Sequence, residues 1–79
     1  MQHEVKTGRY RHYKKKDYTV LGTAFHSETE EIMVLYRQEY GERNLWVRPF
    51  GMFFENVTVD GASVPRFAYL GPAEKEELA

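Results

Sequence analysis

The sequence predicts an all-β domain: about five short strands with one helical or 3₁₀ turn, curled into a small barrel or roll. Three observations lead there. Runs of β-branched and aromatic residues recur at short intervals, at 18–26, 32–37, 45–48, 57–59 and 66–70. Turn-forming residues separate them. No stretch carries a sustained apolar face at helical spacing.

The elements follow in order. Tyr18 to His26 and Ile32 to Arg37 read as strands, with Ser27-Glu28-Thr29-Glu30 as a loop of hairpin length between them. Gly41 breaks the pattern, and Leu45-Trp46-Val47-Arg48 is a third strand halted by Pro49. Phe50 to Asn56 suits a single helical or 3₁₀ turn, with Met52 and Phe53 inward. Val57 to Val59, Asp60-Gly61, then Val64 and Arg66 to Leu70 form a second hairpin. Asp-Gly supplies the positive φ angles that its tight turn needs. Pro65 cannot donate a ladder hydrogen bond and belongs at a strand start or edge. Strands this short, with tight turns, favour a bent barrel, because closure removes exposed edges. An SH3-like roll is the economical form, and an OB-fold ranks second.

The 79 residues make one domain. We divide them into a flexible segment over 1–7, a barrel domain over 8–70 and an acidic tail over 71–79. A chain of this length buries only about 60–65% of its unfolded surface. It has no cysteine, hence no disulfide and no thiolate chemistry. Its aromatic residues, 15% of the chain, are the substitute. The first hairpin looks apolar on both faces. With regular alternation, Val20, Gly22, Ala24 and His26 oppose Leu21, Thr23 and Phe25. The amino-terminal segment with Tyr10 and Tyr13 is the expected cover of the second face, and a homodimer is the alternative.

The motifs also occur together in a set order. They are Gly8-x-Tyr10-x-His12-Tyr13-Lys14, Ala24-x-His26-Ser27-Glu28-Thr29-x-Glu31 and Val34-x-Tyr36-Arg37. Leu45-Trp46-Val47-Arg48-Pro49 with Met52-Phe53, then Val64-Pro65-Arg66-Phe67, complete the set. Over residues 8 to 69 the set resembles a family of small bacterial proteins, domain of unknown function 1653. The resemblance implies an SH3-like architecture and carries no catalytic residue. One departure is local: Lys15-Lys16-Asp17 stands where family members tend to have glycine after the tyrosine-lysine pair.

Charge is uneven. Residues 1–18 carry six lysines and arginines against Glu4 and Asp17, while the remainder carries a net negative charge. Arg9, Arg11, Lys14, Lys15 and Lys16, interleaved with tyrosines, have the composition of a single-stranded nucleic-acid surface. The isoelectric point, near 6.3, weighs against that use.

Trp46 and Arg48 share one face of a strand, and both residue types are enriched where proteins bind ligands. The same pair also fits a structural role, with Trp46 capping the core and Arg48 paired to Glu31 or Glu55. Tyr10, His12, His26, Glu28 and Arg66 complete the candidate ligand surface. His26-Ser27-Glu28 lacks the geometry of a nucleophile with its base, since neighbours on a strand face opposite ways. His3, His12 and His26 are too scattered to form a metal site.

The sequence thus favours a non-enzymatic binding module of the cytoplasm, without metal or cofactor, and the resemblance implies a bacterial one. Its expected partner is a protein, peptide or small anionic ligand. Weak nucleic-acid binding ranks second, and a small hydrolase using His26 and Glu28 ranks last. No apolar run is long enough for a membrane helix, and the amino terminus has no hydrophobic signal core.

Overall fold

A computed structural model describes residues 5–73. Seven strands and one helical turn follow one another: β1 (Gly8–His12), β2 (Asp17–Phe25), β3 (Ile32–Gln38), β4 (Leu45–Pro49), α1 (Phe50–Phe53), β5 (Asn56–Val59), β6 (Ala62–Pro65) and β7 (Phe67–Gly71). Five of them form one antiparallel sheet in the order β4-β3-β2-β1-β7, and β5 pairs with β6 in a separate two-stranded ribbon. The large sheet is open, with β4 and β7 as its edges.

The first hairpin, the third strand and its stop at Pro49 lie where the residue pattern puts them. The second hairpin is shorter than expected. Asp60 and Gly61 take φ angles of 52° and 80° at its turn, and Val57 pairs with Val64. Beyond Pro65 the chain leaves the ribbon, and residues 67–71 pair with β1 instead of β5. The amino-terminal segment therefore joins the sheet beside β2 and does not cover its second face.

The apolar look of both faces of β2 has a different cause. The register slips between Val20 and Gly22, so Leu21 is an extra residue, a β-bulge. Val20 lies opposite Tyr36, Thr23 opposite Val34 and Phe25 opposite Ile32. Side-chain parity thus inverts at Leu21: Val20 shares its face with Thr23 and Phe25, not with Gly22 and Ala24.

The core lies on that face, where Tyr10, Val20, Val34, Tyr36, Phe53 and Phe67 cluster, with Val5, Tyr18 and Phe50 packed against them. Phe53 and Phe67 stack at 4.0 Å with their planes 1° apart. Tyr10 meets Phe53 edge to face at 5.5 Å and donates its hydroxyl hydrogen to the Lys6 carbonyl at 2.8 Å. One ring of this size buries enough area to stabilise the fold by about 2–3 kcal/mol. In α1 only Phe53 is fully buried, and Met52, expected beside it, is 47% exposed. A single turn carries its residues about 100° apart, so two neighbours cannot both face the sheet.

No helix among the described residues is long and apolar enough to cross a membrane. The expectations for residues 1–4 and 74–79 lie outside the described residues.

Candidate functional site

Antiparallel pairing of β3 with β4 sets Tyr36 opposite Trp46 and Val34 opposite Arg48. Trp46 and Arg48 point to the core side of the sheet, but at its edge, beyond the packed centre. Tyr18 and Gln38 come alongside through the β2–β3 register. Tyr40 follows from the turn after β3. Together Tyr18, Tyr36, Gln38, Tyr40, Trp46 and Arg48 line a concavity of about 210 Å³.

Hydrogen bonds hold its walls. Trp46 Nε1–H donates to Gln38 Oε1 at 2.6 Å, and Gln38 Nε2 donates to the Tyr40 carbonyl at 3.1 Å. The hydroxyls of Tyr18 and Tyr40 lie 2.6 Å apart. Burial pushes the Tyr18 phenol above its usual range, and the Tyr40 hydroxyl raises it further. The Tyr18 phenol therefore stays neutral at physiological pH and remains a hydrogen-bond donor.

Arg48 Nε faces the Tyr36 hydroxyl at 3.4 Å, and its guanidinium lies 5.8 Å from the centre of the Phe67 ring. It pairs with neither Glu31 nor Glu55; Glu55 accepts instead from Arg66 at 2.5 Å. Arg11 meets Asp17 at 2.7 Å, and Arg37 and Arg43 both meet Glu39. Among the described residues no carboxylate comes within ion-pair distance of Arg48. A half-buried guanidinium without a counter-charge, bordering an aromatic concavity, retains its capacity to bind an anion through two parallel hydrogen bonds.

His12 and Lys16 stand close by. The His12 ring packs on Phe67 at 4.8 Å, and its Nδ1 accepts from the Lys14 backbone N–H at 3.1 Å. Burial lowers its pKa, and the charges of Arg66, Arg48 and Lys14 lower it further. Lys16 Nζ sits 4.7 Å from the centre of the Tyr40 ring, and Lys14 Nζ is 5.8 Å from that of Tyr13. Lys15 makes the turn between β1 and β2 with φ 73°.

The other candidates fall elsewhere. Tyr10 is 3% exposed, in the core. His26 and Glu28 occupy the far tip of the first hairpin, about 25 Å along β2 from Tyr18. His26 Nδ1 accepts from the backbone N–H groups of Glu28 and Thr29 at 3.1 and 3.3 Å. That lone pair, which a general base would need, closes the turn. Arg9 lies half-buried in β1.

Gln38 and Tyr40 belong to the pocket although the sequence did not single them out. Gln38 ends an apolar run, and alternation with Tyr36 and Val34 is the signal that turns it inward. A larger groove, of about 740 Å³, runs between α1 and β7 and is lined by Tyr10, Phe50, Phe54, Phe67 and Tyr69 among others. It is mainly apolar, whereas ligand sites combine apolar walls with convergent polar groups. Lys6, its one charged wall residue among the described residues, lies over the Tyr69 ring at 4.6 Å.

The family model for a protein of unknown function, DUF1653, matches residues 8–69. The chain belongs to the DUF1653 family. A crystal structure of a DUF1653 protein from Bordetella bronchiseptica is similar at 35% identity, with a TM-score of 0.81. The match covers 89% of this DUF1653 chain and 92% of the other. No curated protein matched the chain.

Proposed function

We propose that this DUF1653 chain is a non-enzymatic binding module that takes an anionic group, a carboxylate first of all, into the Trp46–Arg48 pocket. One observation carries the proposal: Arg48 is held against the Tyr36 hydroxyl and the Phe67 ring, with no carboxylate partner among the described residues. Leaving a partly desolvated cation unpaired costs stability, and a ligand carboxylate recovers it. The phenols of Tyr18 and Tyr40 add donors, and the Trp46 ring adds an apolar wall. We take the open sheet and its accessory ribbon as an SH3-like roll short of closure. We place the protein in the bacterial cytoplasm, in keeping with its lack of cysteine and with its relative from Bordetella bronchiseptica. Of the basic residues offered for nucleic acid, Arg11 is committed to Asp17 by two hydrogen bonds, which makes that use the weaker one.

Trp46 is the sole tryptophan, so its fluorescence reports occupancy directly. Benzoate, an aromatic carboxylate, should change the emission saturably with a dissociation constant on the order of 1–10 mM. Benzamide, its neutral counterpart, should not. Arg48→Met, which keeps an apolar stem, should abolish the response. Equal responses to benzoate and benzamide, or none to either, would refute an anion site.

A further inference from the structure

We propose that the ligand of the Trp46–Arg48 pocket is an extended peptide that adds to β4 as a sixth, antiparallel strand, with an acidic side chain opposite Arg48. This assignment rests on the pocket being an anion site and specifies what carries the anion.

β4 is an edge of the five-stranded sheet. The backbone shows which of its groups face outward. Gln38 N–H donates to the Asn44 carbonyl at 3.1 Å, so residues 38 and 44 form a hydrogen-bonded pair. In an antiparallel ladder such pairs recur every second residue. The amides of Trp46 and Arg48 therefore turn toward β3, and those of Leu45 and Val47 turn out to the open edge. Leu45 is 60% exposed and Val47 52%. Pro49, which has no N–H, ends the run.

Side chains alternate in step. Trp46 and Arg48 point to the pocket face, while Leu45 and Val47 point to the other. An added strand obeys the same alternation. Its residues opposite Val47 and Leu45 exchange backbone hydrogen bonds with β4 and send their side chains to the apolar outer face. Its residues opposite Trp46 and Arg48 fall in the closer kind of pair, about 4.5 Å between Cα atoms. A glutamate there reaches the guanidinium. Read from its amino end, the peptide carries an acid opposite Arg48, a β-branched residue opposite Val47, a spacer opposite Trp46 and a β-branched residue opposite Leu45.

Charge complementarity decides the occupant. Leu45 to Pro49 includes no acidic residue, so a second copy paired β4 to β4 would leave Arg48 without a carboxylate. Lys16, above Tyr40, adds positive potential at the rim of the same pocket. A separate acidic peptide satisfies both the open amides and the cation.

The test uses acetyl-Thr-Glu-Val-Thr-Val-Thr-amide, titrated by Trp46 fluorescence and by the amide shifts of Leu45 and Val47. The peptide should bind more tightly than benzoate. N-methylation of its first valine, whose N–H meets Val47, should weaken binding about tenfold or more. N-methylation of the threonine between the valines, whose N–H faces away from β4, should change it little. Glutamine in place of the glutamate should weaken binding about tenfold as well. If benzoate binds but both N-methyl peptides behave alike, the carboxylate is captured without strand addition and this inference fails while the anion site stands. If benzoate does not bind either, the anion site itself fails. A concentration-dependent dimer with slow exchange at Leu45 and Val47 would give the edge to a second copy and overturn the peptide.

Discussion

The indole N–H of Trp46 donates a 2.6 Å hydrogen bond to the side-chain carbonyl of Gln38, on the neighbouring strand. A half-exposed ring at a sheet edge is thereby fixed by a buried amide. The other end of that amide holds the Tyr40 carbonyl, so one side chain ties together two walls of the pocket.

Gln38→Leu keeps the volume and removes both bonds. Stability should fall by about 1–2 kcal/mol, since the Tyr40 carbonyl and the indole N–H lose a designated partner. Trp46 should gain motion and benzoate affinity should drop. Urea denaturation and steady-state anisotropy of Trp46 are the measurements; an unchanged anisotropy would show that packing alone holds the indole.

Glu39 gathers three donors: Thr19 Oγ1 at 2.5 Å, Arg43 Nη2 at 2.6 Å and Arg37 Nε at 3.1 Å. Burial acts to raise its pKa, and these hydrogen bonds outweigh burial, leaving it below the ordinary 4.5. A folded-state pKa below the unfolded one gives stability that is present above the unfolded value and is lost as pH falls through the folded value. Glu39→Gln should cost about 1–3 kcal/mol at pH 7 and flatten the loss of stability below pH about 4.5. Denaturation midpoints of both proteins across pH 3 to 7 give the comparison (about three to four pH points suffice to see the slope).

His12 titrates in the opposite chemical sense with the same pH direction. Its pKa is lowered by burial first and then by Arg66, Arg48 and Lys14, so the unfolded chain binds its proton more readily. Stability should fall as pH drops below about 6.5, until the folded-state pKa is passed. His12→Gln should remove that slope. Benzoate bound at Arg48 should partly cancel the guanidinium charge and raise the His12 pKa, read from its ring proton shifts by NMR. A pKa indifferent to saturating benzoate would place the anion elsewhere.

Gly8 has φ 132°, and a Cβ there would stand 2.4 Å from the Gly71 carbonyl oxygen. This is where β7 closes on β1, and neither backbone can give way without losing that pairing. Gly8→Ala should destabilise the fold by about 2–4 kcal/mol, from positive-φ strain and the clash together. Thermal unfolding measures it, and a loss under about 0.5 kcal/mol, the range of a neutral surface change, would mean that the β1–β7 junction relaxes freely.

Much of this molecule was legible from neighbours in sequence. The first hairpin, the Pro49 stop, the Asp60-Gly61 turn and the shared face of Trp46 and Arg48 all follow from alternation and turn chemistry, which act over a few residues. Met52 was misplaced because a four-residue turn has too little period to identify its inner face. The parity of β2 was hidden because a one-residue bulge at Leu21 leaves the amino-acid pattern almost unchanged while inverting every side chain beyond it.

By itself, then, the order of residues determined an all-β chain, its turns, and a tryptophan and arginine side by side on one strand. Only the tertiary structure decided that residues 67–71 abandon the second hairpin for β1, that the sheet stays open at β4, and that Glu55 goes to Arg66, leaving Arg48 with no carboxylate partner among the described residues. The reason is physical. Strand propensity and turn geometry are local, whereas the choice of a strand's partner and of a cation's counter-charge depends on which surfaces the folded chain brings together from far apart in sequence.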